Sequence, residues 1–348
     1  MLSSLTWKKW GSVLAIGALA FSLTACGGTG SSEEASSGTK QKEPSYPEKT
    51  ISINAPSGAG GGLDTTARSL TKVLAETGLV KQPMIVENKP GGGQAVGLAD
   101  FISQDSKDPY RLYLPSVPLL INNLRKEGNS PYSYKDLTPL AQLTKDYGAI
   151  VVPANSKYKD LKSLFDDLKK NPESFTLAGG SAPGSQDHLV AMLPAVKAGV
   201  DATKIKYVSY DGGGEAMIAL IGGNADVLAT DISGTGEYLK AGKVRVLGVS
   251  SSERLNGTYA DIPTYKEEGI DAEFTIWRGL FGPKEMPKYA VDYWNKTLTE
   301  MTQKTEWKTV LETNGWEDGY KNSEDFKKFL KEQEVLVQEI LESLKMQK

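Results

Sequence analysis

The sequence predicts an α/β protein of two domains, each a set of strand–loop–helix units with its sheet covered on both faces. Three observations carry this expectation. Short apolar runs alternate with amphipathic stretches from residue 51 to residue 249. Glycine-rich loops recur where apolar runs end. About 300 residues are left to fold once a leader and a polar linker are set aside, long for one core and comfortable for two. Strand, loop and helix in repetition is the pattern of parallel sheets flanked by helices.

Ile51-Ser52-Ile53 reads as a strand, and Thr65 to Glu76 as a helix with Ala67, Leu70, Val73 and Leu74 at helical spacing. Met84-Ile85-Val86 is a second strand, followed by a glycine-rich loop and a helical stretch from Ala95 to Ile102. Leu112-Tyr113-Leu114 is a third strand. The middle region adds strands at Ala149–Val152, Phe175–Ala178, Ile205–Ser209, Val227–Ala229 and Val244–Val249. Helices fall between them at Leu161–Lys169, His188–Val196 and Glu215–Ile221. The end differs: Val291–Met301, Glu306–Leu311 and Ser323–Leu344 read as helices with no buried strand between them. Ser323 with Glu324 and Asp325 is a helix start, and Phe326, Phe329, Leu330, Val337, Ile340, Leu341 and Leu344 share one side of that helix. Domain boundaries fall near 148 and 272, so that 47–147 and 273–348 form one domain and 148–272 the other. Tyr147–Val152 and Phe274–Ile276 are the expected crossing strands.

The chain opens with Lys8 and Lys9 before an apolar run from Val13 to Leu23. That run is shorter than the roughly 20 residues a spanning helix needs, so residues 1–25 read as a secretion signal. Leu23-Thr24-Ala25-Cys26 resembles the lipobox of bacterial lipoproteins, in which the cysteine carries the lipid. The alternative is an ordinary signal beside a chance cysteine, but Cys26 is the only cysteine in the chain. Residues 26–46 are mostly Gly, Ser, Thr, Glu and Lys, a composition expected of a flexible tether. Removal of the leader takes two lysines and no acid, which moves the net charge from −3 to −5. With no basic block, nucleic acid is not an expected partner.

Several chemistries are excluded. One histidine, His188, and one cysteine cannot build a His/Cys zinc site or a disulfide. No G-x-S-x-G elbow presents a serine nucleophile. The glycine clusters fail the G-x-G-x-x-G test, with Leu63, Thr65 and Val96 at the sixth positions of motifs that would start at Gly58, Gly60 and Gly91. No P-loop occurs, so no cofactor is expected. The 43 acids allow many carboxylate pairs and single out none.

The loops at the predicted strand ends are the informative part, because open α/β sheets bind ligands there. The first runs Ala55 to Asp64 and includes Ser57, Gly58, Gly61 and Gly62. Glu87 to Gly93 is the second, and Ser116 marks a third edge. The middle region contributes Gly179 to Asp187, with Gly184 and Ser185, and Tyr210-Asp211-Gly212-Gly213-Gly214. A fifth loop carries Asp231, Ser233 and Gly234. Glycine lets backbone N–H groups approach a ligand, and a helix start adds unpaired donors and a partial positive charge. Together they hold a carboxylate or phosphate without arginine. Arginine is scarce, six against 34 lysines, and only Arg68 lies close in sequence to one of these loops. Backbone N–H groups are therefore expected to dominate, with Gly212 sensitive to a β-branched substitution by bulk and, if the loop uses positive φ, by strain. For any one loop, turn chemistry alone remains the alternative. Asp64, Asp187 and Asp211 stand beside helix starts, where capping and ligand contact are both open. Acids beside an anion site repel it unless backbone N–H groups hold their oxygens. His188 is a helix-start residue near the cleft or a ligand contact.

APSGAGGGLDTTAR, from Ala55 to Arg68, resembles the first binding loop of the substrate-binding receptors of tripartite tricarboxylate transporters. VENKPGGGQAVG (Val86–Gly97) and KYVSYDGGGEAMIALIGGNADVLATD (Lys206–Asp231) are similar to further motifs of that family. AGKVRVLGVSSSERL (Ala241–Leu255) and DIPTYKEEGID (Asp261–Asp271) fit as well, so the resemblance runs in order from residue 47 to 344. It implies a type II periplasmic-binding-protein fold, with two α/β domains joined by crossing strands and a ligand cleft between them. It implies no enzyme, but a receptor that holds a small carboxylate through backbone amides, hydroxyls and water. The receptor would sit on the outer face of the cytoplasmic membrane and serve a large and a small integral-membrane subunit. Delivery to a sensor kinase would use the same fold. Carried over residue by residue, the candidates are Ser57, Gly58, Gly61, Gly62 and Asp64, then Gly184, Ser185 and Asp187, then Tyr210, Asp211, Gly212 and Gly213. Ser116 and Asp231 join them from their place at strand ends. One departure is Asn54-Ala55-Pro56-Ser57, where many members have a proline and an aromatic residue. The three-glycine run resembles the branch associated with citrate-like ligands, without fixing the ligand here.

Overall fold

The structure is a computed structural model that describes residues 45–348, apart from 60, 105, 106, 129 and 211. The signal segment 1–25, Cys26 and nearly all of the expected tether lie outside the described residues. Residues 43–348 cluster as one body. Tyr46, at the end of the expected tether, belongs to that body: its hydroxyl donates to Pro109 O at 2.7 Å and accepts from Trp294 Nε1 at 2.9 Å.

The chain begins β1 (Ile51–Ala55), α1 (Gly62–Glu76), β2 (Met84–Asn88), α2 (Ala95–Gln104), β3 (Arg111–Tyr113) and α3 (Pro118–Leu124). β1 lies between β2 and β3, parallel to both. Its alternate residues Ile51, Ile53 and Ala55 join Ala67, Leu70, Val73 and Leu74 of α1 in one apolar cluster, the period of two meeting the period of 3.6. Next come β4 (Leu137–Pro153), α4 (Leu161–Lys170), β5 (Thr176–Gly179), α5 (Gln186–Lys197), β6 (Lys206–Ser209) and α6 (Gly213–Ile221). β7 (Val227–Asp231), α7 (Gly236–Lys240) and β8 (Val244–Val249) complete this part. β5 is flanked in parallel by β6 and β7. The chain returns through β9 (Thr275–Pro283), α8 (Lys288–Thr302), α9 (Thr305–Asn314), β10 (Glu317–Asn322) and α10 (Ser323–Ser343). Among the described residues, no helix is long and apolar enough to cross a membrane.

One expectation needs correction. The sheet is mixed, because every pairing of β4 is antiparallel, as is that of β3 with β9. These strands are not joined to their neighbours by helical crossovers, so nothing imposes a parallel direction. Between the C-terminal helices lies no buried strand, but a largely uncovered one, β10, that pairs with β4. Within Glu317–Asn322 only Gly319 is buried, so it carries no apolar alternation to read.

β4 is the strand that joins the two halves of the sheet. Residues 137–147 pair with β9, and 148–153 pair with β7 and β8. At the change of partners, Gly148 N–H donates to Ser250 Oγ (2.8 Å) and Ser250 Oγ donates to Phe274 O (2.6 Å). One buried hydroxyl thus ties β4 to the segment entering β9. α10 lays Phe326, Leu330, Val337, Ile340 and Leu341 on the core, and Asn322 caps it by accepting from Asp325 N–H at 3.0 Å.

Candidate functional site

Parallel strands deliver their C-terminal ends to one edge. In the first half, β1 ends at Ala55 opposite Asn88 of β2, and β3 leads to Ser116. In the second half, Gly179 of β5 lies opposite Ser209 of β6 and Ala229 of β7. All five candidate loops leave from these ends.

The first loop is braced from within. Gly61 N–H donates to Gly58 O at 3.1 Å, and Asn88 Nδ2 donates to Ser57 O at 3.1 Å. Ser57 Oγ donates to Gly58 O at 3.3 Å, while a Cβ on Gly58 would meet nothing within 4 Å. Gly61 is the N-cap residue of α1, so Gly62 and Leu63 open the helix with N–H groups that have no carbonyl one turn earlier. Asp64 is buried and accepts from Arg68 Nε (3.0 Å) and Asn88 Nδ2 (2.9 Å). Its charge is matched beneath the loop, which removes the repulsion an acid would impose on an anion there.

Ser116 is buried. Its N–H donates to Gln94 Oε1 at 3.2 Å and its Oγ to Trp277 O at 2.6 Å, holding the start of β9 beside β3. The next residue is Arg278, which no motif singled out. Its side chain is buried, and its guanidinium lies 4.7 Å from the Trp316 ring centroid. Nη2 stands 3.5 Å from Asp146 Oδ2 and 3.4 Å from Asp231 Oδ2. A Cβ built on Gly62 would come within 3.1 Å of the same nitrogen. Loop one, the third strand edge and Asp231 therefore meet at a single cation.

In the second half, Ser185 is the N-cap residue of α5 and is buried. Asp187, in the first turn, accepts from Gly180 N–H at 2.7 Å, and its own N–H donates to Ser181 Oγ at 2.9 Å. Its carboxylate thus folds back to brace the 180–187 loop instead of capping the helix alone. Gln186 Nε2 donates to Asp231 Oδ1 at 3.2 Å. Burial and then the nearby Asp231 push the Asp187 carboxyl up to about 7, against the Gly180 hydrogen bond. Asp146 is pushed up to about 6 by the same two causes, opposed by Arg278 and by the Ser233 hydroxyl. Gly184 has φ +75°, and a Cβ there would lie 2.6 Å from Arg125 Cδ. Arg125 Nη1 also donates to Pro183 O, so this loop rests on a side chain from the first half. His188 is mostly buried, edge-on to Tyr207 at 4.7 Å, and held well below its usual pKa by burial.

Tyr210 N–H donates to Gly179 O at 2.9 Å. Asp211 lies outside the described residues. Gly212 caps α6 with φ 166°, ordinary extended backbone, so the strain argument for this position does not apply. A Cβ on Gly212 would meet nothing within 4 Å, whereas one on Gly213 would lie 3.1 Å from Thr230 Oγ1. Sequence reasoning missed Arg278, Asp146, Gln186 and Arg125. Only Arg278 left a signal, as a charge inside the apolar run Ile276-Trp277-Arg278-Gly279-Leu280.

A sequence model described as the tripartite tricarboxylate transporter family receptor matches residues 66–346. The chain belongs to that family. An Agrobacterium vitis relative, a UPF0065 protein in the TAR-I ttuE-ttuC' intergenic region, is 30% identical over 248 residues, covering 71% of this chain and 69% of that protein. The solved periplasmic binding protein BugD is 27% identical with a TM-score of 0.74, covering 87% of this chain and 99% of BugD. A solved R. palustris protein with adipate is 20% identical with a TM-score of 0.77, covering 87% and 99%, and shares the fold. The family places the chain among extracytoplasmic solute-binding receptors and not among enzymes.

Proposed function

We propose that this receptor binds a di- or tricarboxylate in a cleft between its two halves and hands it to large and small integral-membrane subunits. The observation that carries the reading is the meeting of strand-end loops from both halves at the buried Arg278, beside the opening turn of α1. A guanidinium and a helix start together favour an anion. The candidate ligand residues are those of the two sets of loops, Ser57 to Asp64 with Ser116, and Gly184 to Asp187 with Tyr210 to Gly213 and Asp231. The R. palustris protein of the same fold is described with adipate, a dicarboxylate. Residues 47–147 with 273–348, and 148–272, would act as two domains that close on the ligand, bending where Gly148, Ser250 and Phe274 meet. The lipobox-like end of the leader supports an anchor at Cys26 on the outer face of the cytoplasmic membrane, and Cys26→Ser should release soluble protein or leave an unprocessed precursor.

The test is a thermal-shift screen of the purified receptor. A ligand at a hundred times its dissociation constant adds about 2.7 kcal/mol. That should raise the melting temperature by several degrees for some di- or tricarboxylate and for no sugar. Hits confined to sugars or free amines would refute the carboxylate reading.

A further inference from the structure

We infer that Arg278 is the anion anchor of the cleft and that Asp231 is its resident counter-ion, displaced when a ligand carboxylate binds. This rests on the carboxylate reading above and adds a mechanism to it. A guanidinium has five N–H donors in a fixed fork. Nη1 of Arg278 is buried and has no hydrogen-bond partner among the described residues. The contacts of Nη2 with the two acids, 3.5 and 3.4 Å, exceed the roughly 2.7–2.9 Å of a good charge-assisted bond. A cation this deeply buried, at 3% exposure, is under-bonded by its protein partners. Two parallel bonds to one carboxylate would repair that.

The two acids differ in what else holds them. Asp146 is fully enclosed, accepts from Tyr147 N–H at 2.8 Å and from Ser233 Oγ, and lies on the strand shared by both halves. It is a fixed counter-charge. The Asp231 side chain is 29% exposed, and besides Arg278 it accepts from Gln186 Nε2 at 3.2 Å. It lies at the end of β7 in the second half, whereas Arg278 is on β9 in the first. Asp231 is therefore the partner able to leave, and its place on Nη2 adjoins the first turn of α1 at Gly62. One carboxylate replacing another conserves the charge balance at Arg278. Because Asp231 and Arg278 come from different halves, the exchange also ties occupancy to the contact between the halves.

The experiment is calorimetric titration of adipate, succinate and citrate into wild type, D231N, R278Q and R278K. Circular dichroism checks each fold, and R278Q is repeated with D146N so that no buried acid is left unmatched. Removing the internal competitor should tighten binding of the best probe by about tenfold in D231N. R278Q should lose a hundredfold or more with or without D146N, and R278K should fall between, because an ammonium lacks the planar fork. If D231N weakens binding as much as R278Q does, Asp231 touches the ligand and the exchange is wrong. If folded R278Q or its D146N pair binds like wild type, Arg278 only holds the two halves together. Either result with wild type binding normally overturns this inference alone. Wild type binding none of the three, nor any acid in the wider screen, overturns the carboxylate reading and this inference with it.

Discussion

Gly148→Ala tests the crossing of the two halves. Gly148 sits where β4 changes partners, and its backbone is not in the left-handed region, so alanine adds bulk without backbone strain. A Cβ there would lie 2.5 Å from Val190 Cγ1, 2.7 Å from Cγ2 and 3.1 Å from Cβ. Val190 is fully buried in α5, the helix that opens with Gln186 and Asp187. Both Cγ methyls of Val190 and its Cβ, which χ1 rotation does not move, crowd the new methyl, and valine in a helix strongly prefers one rotamer. Over-packing of this kind costs about 1–3 kcal/mol. At about 2.1 cal/mol/K per residue, two kcal/mol should lower the melting temperature by roughly 3 °C in a body of about 300 folded residues. Val190→Ala, alone costing about 2 kcal/mol as a buried truncation, should rescue part of the loss. The double variant is expected to be more stable than the sum of the singles by about 1 kcal/mol or more. Denaturant melts of wild type, both singles and the double provide the cycle. Strict additivity, or an unchanged midpoint for Gly148→Ala, would mean that β4 and α5 are not in the contact described.

Gly212→Val should abolish carboxylate binding while leaving the fold intact, because its side chain would project into open space at the loop and the extended backbone accepts it; calorimetry and circular dichroism together decide this. Arg68→Ala should weaken binding far less, since Arg68 is largely exposed and pairs with Asp64 beneath the loop. Stability of the ligand-free protein should depend on pH in a direction opposite to that of ordinary paired carboxylates. Between about pH 4 and their raised values of about 7 and about 6, Asp187 and Asp146 hold protons in the folded state that the unfolded chain has already lost. Their contribution is therefore most favourable below about pH 4 and is lost as pH rises to about 7. Melting temperatures should fall from pH 5 to pH 7.5, and Asp187→Asn should flatten the upper part of that fall; a flat or rising wild-type curve over this range would refute the assignment.

Elements with one buried face were legible along the chain. α1 and α10 showed their stripes at helical spacing, β1 its alternation, and the strand-end loops their glycines. β10 was not legible, because an edge strand with one buried residue has no pattern to record. The length of β4 was also hidden. Its residues 137–147 are covered by β9 and by helices from distant parts of the chain, so burial there follows partners that local periodicity does not name.

The sequence by itself determined the family, the helical and strand units and the loops that gather at one edge, because these depend on neighbours a few residues apart. Tertiary structure alone decided that Gly62, Asp146, Asp231 and Arg278 form one cluster. The scarcity of arginine suggested a site of backbone donors; the anchor proposed above is one arginine buried inside an apolar strand. Its role comes from a fold that brings it against residues far from it in the chain, and no local spacing encodes such a meeting.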